Sequence, residues 1–491
     1  MYKIGFDSNR YLHIQSQKIL ERVERFGNKL YLEVGGKLFG DLHASRVLPG
    51  FETDGQLYLF KKLADKTEII ITINASDIEQ GKFQADRGIS YVDNLIEMLD
   101  FFKFHGLYVS SVVVTRYKGQ NTVVNFKNRL ERLGVKVYFH YFIEGYPFDL
   151  PFIMGENGFN RNEYVRTTRP LVIVTACGAY SGKMATCLSQ LYHDFKRKIK
   201  SGYAKFEKFP LWSVPINHPI NLAYEAATTD INDVLMIDPF HLEAYNVPAV
   251  SYNRDIEAFP ILNELFRQIW GESPYKSPTD MGVNMFKECI IDDEACQYAS
   301  KQEIIRRYYK ALCDEWRCSG KKLEIKKLEF LMKTAGVSTN NRTVVRYAHE
   351  KEKLTNTPCV AIELTDGRVV TGKTTPLLSP ASAALLNALK MLAGISDEVN
   401  LISPSMIKPI QKFNFEFFDN QNPHLQANEV LIALFICTTT NPLAEIVLGQ
   451  IPKLKNCEAH STEIVSQAEI DVYQKFCINI TCEPSHSKMS L

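Results

Sequence analysis

The sequence has no C-x-x-C pair, no G-x-S-x-G elbow and no second histidine four residues after His349. The first absence removes a paired-cysteine zinc or redox motif. The second removes the usual serine nucleophile of a strand-to-helix turn, and the third removes the two-histidine helix of a zinc protease. The 11 cysteines are scattered and odd in number, so they read as reduced thiols, not a disulfide framework. Charge of one sign is also missing. Lys and Arg total 57 against 56 Asp and Glu, a formal net charge of +1, so no global field points to nucleic acid, a membrane surface or an acidic partner. The basic run Lys196-Arg197-Lys198-Ile199-Lys200 reads as a solvated helix end. Apolar runs such as Val430–Cys437 fall far short of the roughly 18 residues that a membrane span needs. Asp7 and Arg10 sit where a secretion signal would keep its apolar core. The expectation is a cytoplasmic protein without membrane or nucleic-acid partners.

What is present is a large, ordinary globular composition. The chain has 491 residues, 45% hydrophobic and 23% charged, which implies two to four domains. Runs rich in Val, Ile, Tyr and Phe occur at Lys29–Val34, Glu68–Asn74, Leu107–Thr115, Val135–Phe142 and Leu171–Thr175. Helical patterns such as Tyr91–Phe104 and Val123–Leu133 lie between them. This alternation predicts a mainly parallel sheet with helices on both faces. From Phe259 to Asn356 long charged segments dominate, with Ile304, Ile305, Tyr308 and Leu312 at helical spacing. Strand patterns return near Thr355. Val360–Leu364 and Arg368–Thr371, joined by an Asp366-Gly367 turn, predict a hairpin, and Pro380–Leu392 a helix. The shifts divide the chain into an α/β domain (residues 1–258), a mostly helical region (259–356) and a C-terminal α/β/α domain (357–491).

The stretch that carries the most chemistry is PLVIVTACGAYSGKMATCLSQLYH, Pro170 to His193. A buried strand runs into a small-residue loop that opens a helix at Gly182-Lys183. First-turn amides have no partner within a helix and point along a dipole that favours anions. Gly178, Ser181, Gly182 and Lys183 are therefore the expected ligand-binding residues, with the backbone of 178–183 as a cradle and Lys183 also as a catalytic charge. The G-x-x-x-x-G-K-[ST] pattern is imperfect: Cys177 replaces its first glycine and Met184 its hydroxyl residue. A thioether is a poor Mg²⁺ ligand. Asp238, at the end of the apolar run Val234–Ile237, resembles the strand-end acid that holds Mg²⁺ in phosphate-loop proteins. It is the expected metal-associated and catalytic acid, with Mg²⁺ as the ion implied. Its alternative is a helix cap before Pro239. His43, Arg46 and Arg254 lie in polar segments placed to serve as secondary contacts to phosphate or carboxylate. Each has an alternative as part of a local hydrogen-bond network. Asp292-Asp293-Glu294 reads as helix N-terminal charge, and Thr371–Thr374, despite its GKT, as a strand end.

Four segments carry a resemblance: Leu30–Phe51, Ser181–His193, Asn221–Asn246 and Glu272–Asn284. Together they resemble a conserved, mainly bacterial family of unknown function, and the match extends to about Pro484. Some members carry the label "ATP-dependent peptidase"; nothing in this sequence arranges a nucleophile or hydrolytic metal for that reaction. The resemblance implies an α/β N-terminal region with a phosphate-loop-like turn, a helical middle, and a C-terminal α/β/α part similar in layout to cytidine deaminases. Zinc ligands and the proton-shuttling Glu of a deaminase are absent from PASAALLNAL and SPSMIKP. In this family Pro-Gly-Pro-Gly usually precedes Ser-Gly-Lys. Here the residues are Cys177-Gly178-Ala179-Tyr180, and Tyr180 pays a steric cost at positive φ that glycine does not. Two functions follow as expectations. One is binding of a small phosphorylated molecule or nucleotide, for phosphoryl transfer or hydrolysis. The other is a non-enzymatic homo-oligomeric assembly or regulatory protein.

Overall fold

The structure, a computed structural model, describes residues 3–36, 42–83, 89–178, 180–229, 233–417 and 422–485. The chain divides into two compact units. One comprises Ile4–Glu225 with Ile231–Gln297, the other Tyr298–Leu491 with Met1–Lys3 and Ala226–Asp230.

The first unit is built on a six-stranded sheet. Its strands are β1 (Leu30–Val34), β2 (Thr67–Asn74), β3 (Val109–Tyr117), β4 (Val137–Tyr141), β5 (Leu171–Ala176) and β6 (Gly202–Phe206). Their order is β4-β3-β2-β5-β1-β6, and every pairing is parallel. Helices cover both faces, so β2 is buried at all eight positions, and a continuous Ile69-Ile70-Ile71 run is what such a strand requires. The predicted strands and the helix Tyr91–Phe104 are present within a few residues. A separate antiparallel pair joins β7 (Leu235–Ile237) to β8 (Val250–Tyr252). The strand preceding Asp238 therefore pairs with β8 and is not part of the parallel sheet.

The order of strands fixes where a ligand would sit. From β2 the chain proceeds outward to β3 and β4, whereas from β5 it proceeds the other way, past β1 to β6. The carboxyl ends of β2 and β5 therefore flank a topological switch point, the crevice in which open α/β sheets take ligands.

The second unit has a four-stranded mixed sheet of β9 (Cys359–Glu363), β10 (Val369–Lys373), β11 (Glu458–Ser461) and β12 (Asn479–Cys482), in the order β10-β9-β11-β12. The β9–β10 hairpin and the helix Pro380–Ala393 are as predicted. Among the described residues all 11 cysteines are free, and no helix is long and apolar enough to cross a membrane.

His140 on β4 gives the first unit an acid sensitivity. It is 3% exposed, and burial pushes its imidazole from 6.5 down to about 3. An unfolded chain takes up that proton near 6.5 and the folded one does not. The stabilisation is complete above 6.5 and is lost progressively as pH falls toward 3. Lowering the pH from 7.5 to 5 is expected to cost about 2 kcal/mol through this group. Urea unfolding of wild type and His140→Gln at both pH values checks it: the variant should lose about that much less.

Candidate functional site

The turn between β5 and the helix Lys183–Lys196 is held from three sides. The Ser181 hydroxyl donates to the Gly178 carbonyl at 2.8 Å. Thr115 on β3 donates to the Ser181 carbonyl at 2.9 Å, and the Asn94 amide donates to the Cys177 carbonyl at 3.3 Å. Glycine is demanded at two positions. Gly182 adopts φ +81°, and a Cβ there would lie 2.8 Å from Thr115 Cγ2. A Cβ on Gly178 would lie 2.6 Å from the Tyr91 ring. Tyr180, expected to resist positive φ, adopts φ +57° with its side chain 65% exposed. The neighbouring contacts fix the turn tightly enough to bear that cost. Ala179 lies outside the described residues.

Gly182 is the helix N-cap and supplies no side-chain cap. The first amide of the helix to find a backbone acceptor is that of Thr186, which donates to the Gly182 carbonyl at 2.9 Å. Among the described residues no acceptor engages the amides of Lys183, Met184 and Ala185, and no carboxylate pairs with the Lys183 ammonium. Met184 packs against the apolar core. Ser181 is 2% exposed and turns its hydroxyl inward to Gly178, so its contribution to a ligand would come from backbone. Burial pushes the Cys177 and Cys187 thiols well up, so neither flanking cysteine is a thiolate nucleophile at neutral pH.

The remaining predicted residues are not gathered at this turn. Asp238 is fully buried and caps the helix Pro239–Tyr245, accepting from the Phe240 and His241 amides at 3.0 and 3.1 Å. Its other oxygen accepts from the Thr279 amide and hydroxyl at 3.2 and 2.6 Å. Gly282, three residues beyond Thr279, bridges Lys205 on the edge strand β6. Asp238 is thus beyond β6, with β6 and β1 between it and the β5 turn. Arg254 pairs with Asp233 at 3.1 Å and Glu207 at 3.6 Å and lies over the Tyr252 ring. His43, on the short helix Leu42–Val47 with Arg46, meets the rings of Phe209 and Tyr224 edge-on at 5.4 and 5.5 Å.

A buried charged cluster lies along β1 and β6, and of it only Arg254, which pairs with Glu207, was among the sequence expectations. Tyr203 donates to Glu33 at 2.6 Å. Lys205 donates to both Asp255 oxygens at 2.8 and 2.7 Å and pairs with Glu207 at 3.1 Å. Burial raises the Glu207 carboxyl above its ordinary range, against the pull of Lys205. For Lys205, burial works to lower the pKa, but Asp255 and Glu207 outweigh it and raise it. Thr115 and Asn94 were also missed: each is an ordinary polar residue in sequence, and only the sheet order brings it to the turn.

Comparison with known proteins places this geometry in a family. Residues 4–336 match the domain of unknown function DUF1846, N-terminal, and residues 340–491 match its C-terminal counterpart. The chain belongs to the DUF1846 family. A UPF0371 protein of Streptococcus equi subsp. equi is 48% identical over 491 residues, covering 100% of this chain and 99% of that one. UPF0371 protein DIP2346 of Corynebacterium diphtheriae is 48% identical over 489 residues, with 99% and 98% covered. This DUF1846 protein is therefore similar to these relatives from end to end, and the β5 turn belongs to the part shared with the N-terminal domain.

Proposed function

We propose that this protein binds a small phosphorylated ligand, such as a nucleotide or sugar phosphate, at the start of the helix Lys183–Lys196. One observation carries the reading: three first-turn amides without acceptors among the described residues open a helix at a sheet switch point, and Lys183 is the first residue of that helix. Amides and dipole supply a pre-oriented oxyanion site, and the lysine supplies a full charge. The positions of Met184 and Asp238 favour binding without a tightly held Mg²⁺.

Thermal unfolding with inorganic phosphate, ATP, GTP and sugar phosphates, with and without Mg²⁺, tests this. At ligand 100-fold above its Kd the protein should gain about 2.7 kcal/mol of stability. Lys183→Ala should weaken the response at least about tenfold, because a charge-assisted bond is removed. No response to any phosphate, or an identical response in Lys183→Ala, would overturn the proposal.

A second reading is a homo-oligomeric assembly role, supported by the C-terminal helices. Ile432, Phe435 and Ile436 on the helix Ala427–Cys437, and Leu443 and Ile446 on Pro442–Leu448, are 38–69% exposed. Their i, i+3, i+4 spacing puts the first three on one face, and an apolar face of this kind marks contact surfaces. Light scattering should then report an oligomer that Phe435→Glu dissociates. The deaminase-like layout of the C-terminal unit is supported by its hairpin–helix order followed by β11, a helix (Gln467–Lys475) and the parallel strand β12.

A further inference from the structure

The C-terminal sheet brings together three ligating side chains that serve neither reading above. His349 projects from the helix Thr343–Thr355, His460 from β11, and Glu483 follows β12 immediately. β11 and β12 are parallel neighbours, with His460 opposite Thr481. Glu483 Oε1 is 2.8 Å from His349 Nε2 and 3.5 Å from His460 Nε2. One ligand atom from each of the three lies within 4.8 Å of the other two.

His460 is the decisive residue. It is 0% exposed, and its Nε2 faces the Glu483 carboxylate at 3.5 Å, too long for a well-formed hydrogen bond. Its Nδ1 is 2.9 Å from Thr481 Oγ1. The Thr481 hydroxyl donates to the Ala459 carbonyl at 3.2 Å, so its oxygen is free to accept a hydrogen bond from Nδ1–H. With the proton on Nδ1, Nε2 presents a lone pair toward a carboxylate that is also an acceptor. A buried imidazole nitrogen without a partner costs free energy. A cation between the two acceptors removes that cost.

We propose that His349 Nε2, His460 Nε2 and Glu483 form a binding site for a divalent first-row transition metal, of which Zn²⁺ is the simplest. Two imidazoles and one carboxylate are a recurring ligand set for such ions. Metal–ligand bonds of about 2.0–2.1 Å place donors about 2.9 Å apart at right angles and about 3.4 Å apart at tetrahedral angles. The two separations from Glu483, 2.8 and 3.5 Å, fall close to this range, and the two histidine nitrogens lie within 4.8 Å, so binding draws the rings together. Outer contacts that orient ligands are also present. Glu352 lies 3.6 Å from His349 Nδ1 and is itself held by the Thr462 hydroxyl at 2.7 Å, and Thr481 holds His460. The His349 and Glu483 side chains are 35% and 27% exposed, which leaves water room to complete the coordination. Binding displaces the proton that His349 shares with Glu483, and that proton goes to solvent.

The experiment uses the full chain stripped with EDTA. Zn²⁺ is titrated in competition with a chromophoric chelator, and Co²⁺ binding is followed by its visible spectrum. One equivalent of metal should bind, with cobalt bands of nitrogen and oxygen ligands and no thiolate charge-transfer band. His349→Ala and Glu483→Gln, both at partly exposed positions, should each weaken Zn²⁺ binding by about 100-fold or more. Glu352→Gln should weaken it by about tenfold, since only an outer contact is lost. The proposal is overturned if wild type takes up neither ion. It is equally overturned if both ligand variants bind as wild type does, or if the cobalt spectrum is that of a cysteine site. Should a variant fail to fold by circular dichroism, the wild-type cobalt spectrum still decides.

Discussion

Arg342→Met is expected to destabilise the protein by about 2–4 kcal/mol, since buried acceptors lose a charged donor while Glu458 keeps its pairing with Arg306 at 2.9 Å. Arg342 is 1% exposed and is among the largest fully buried side chains. Its guanidinium donates to Glu458 at 2.5 Å, to Thr481 Oγ1 at 3.1 Å, and to the carbonyls of Ala459 and Asn479 at 2.9 and 2.8 Å. These acceptors lie on β11 and β12, so one planar fork clamps the two parallel strands. Burial pushes the pKa of Arg342 down and Arg306 adds to this, while Glu458 opposes them. An arginine still stays charged, because its ordinary value is so high. Methionine fills much of the volume but leaves the Ala459 and Asn479 carbonyls short of a donor. Lysine keeps the charge, but its compact ammonium cannot match the fork, so Arg342→Lys should recover less than half of the loss. Urea denaturation of the full chain measures both. A methionine variant within about 1 kcal/mol of wild type would show that the strands are held by other means.

Much of the sheet was readable because its strands are Val- and Ile-rich and buried on both faces. β2 and β5 needed no more than that pattern. β6 was missed for a physical reason. Its sequence, Gly202-Tyr203-Ala204-Lys205-Phe206, carries a lysine in the middle, yet every position is buried. Lys205 can be buried only because Asp255, 50 residues later, neutralises it, and no local window contains that fact. Asp238 failed differently. The apolar run before it is a strand, as read, but the partner that the strand finds is β8 rather than the parallel sheet. The acid is then the helix cap that its position before Pro239 also allowed. The turn from β5 into the helix Lys183–Lys196 was legible because its residues are contiguous, from Gly178 to Lys183. The histidine–glutamate cluster was not, since His349 and Glu483 are 134 residues apart. A motif search sees His349-Glu350 and looks four residues on for a second ligand, whereas the fold supplies it from a neighbouring strand.

Lys205→Met should destabilise the first unit by an amount that shrinks as the pH falls. In wild type Lys205 sits between Asp255 and Glu207, and all three are removed from most solvent. Taking away the ammonium leaves two carboxylates side by side, with Arg254 3.6 Å from Glu207 and 3.9 Å from Asp255 as the nearest remaining charge. The expected loss at pH 7.5 is about 3–5 kcal/mol. Burial already raises the Glu207 carboxyl, and losing Lys205 removes the main influence holding it down. A carboxyl whose folded pKa lies above its unfolded value binds its proton more readily in the folded state. Stability then increases as pH falls through the folded value, until the unfolded chain is protonated as well. The deficit of Lys205→Met relative to wild type should therefore shrink between pH 7.5 and 5.5, while wild type itself is losing stability through His140. The double variant Lys205→Met/Asp255→Leu removes one of the stranded carboxylates and should recover part of the deficit at pH 7.5 without acid. Urea titrations of the three proteins at both pH values separate the effects. If the deficit is the same at both pH values, the loss comes from packing around the lysine stem and not from stranded charge.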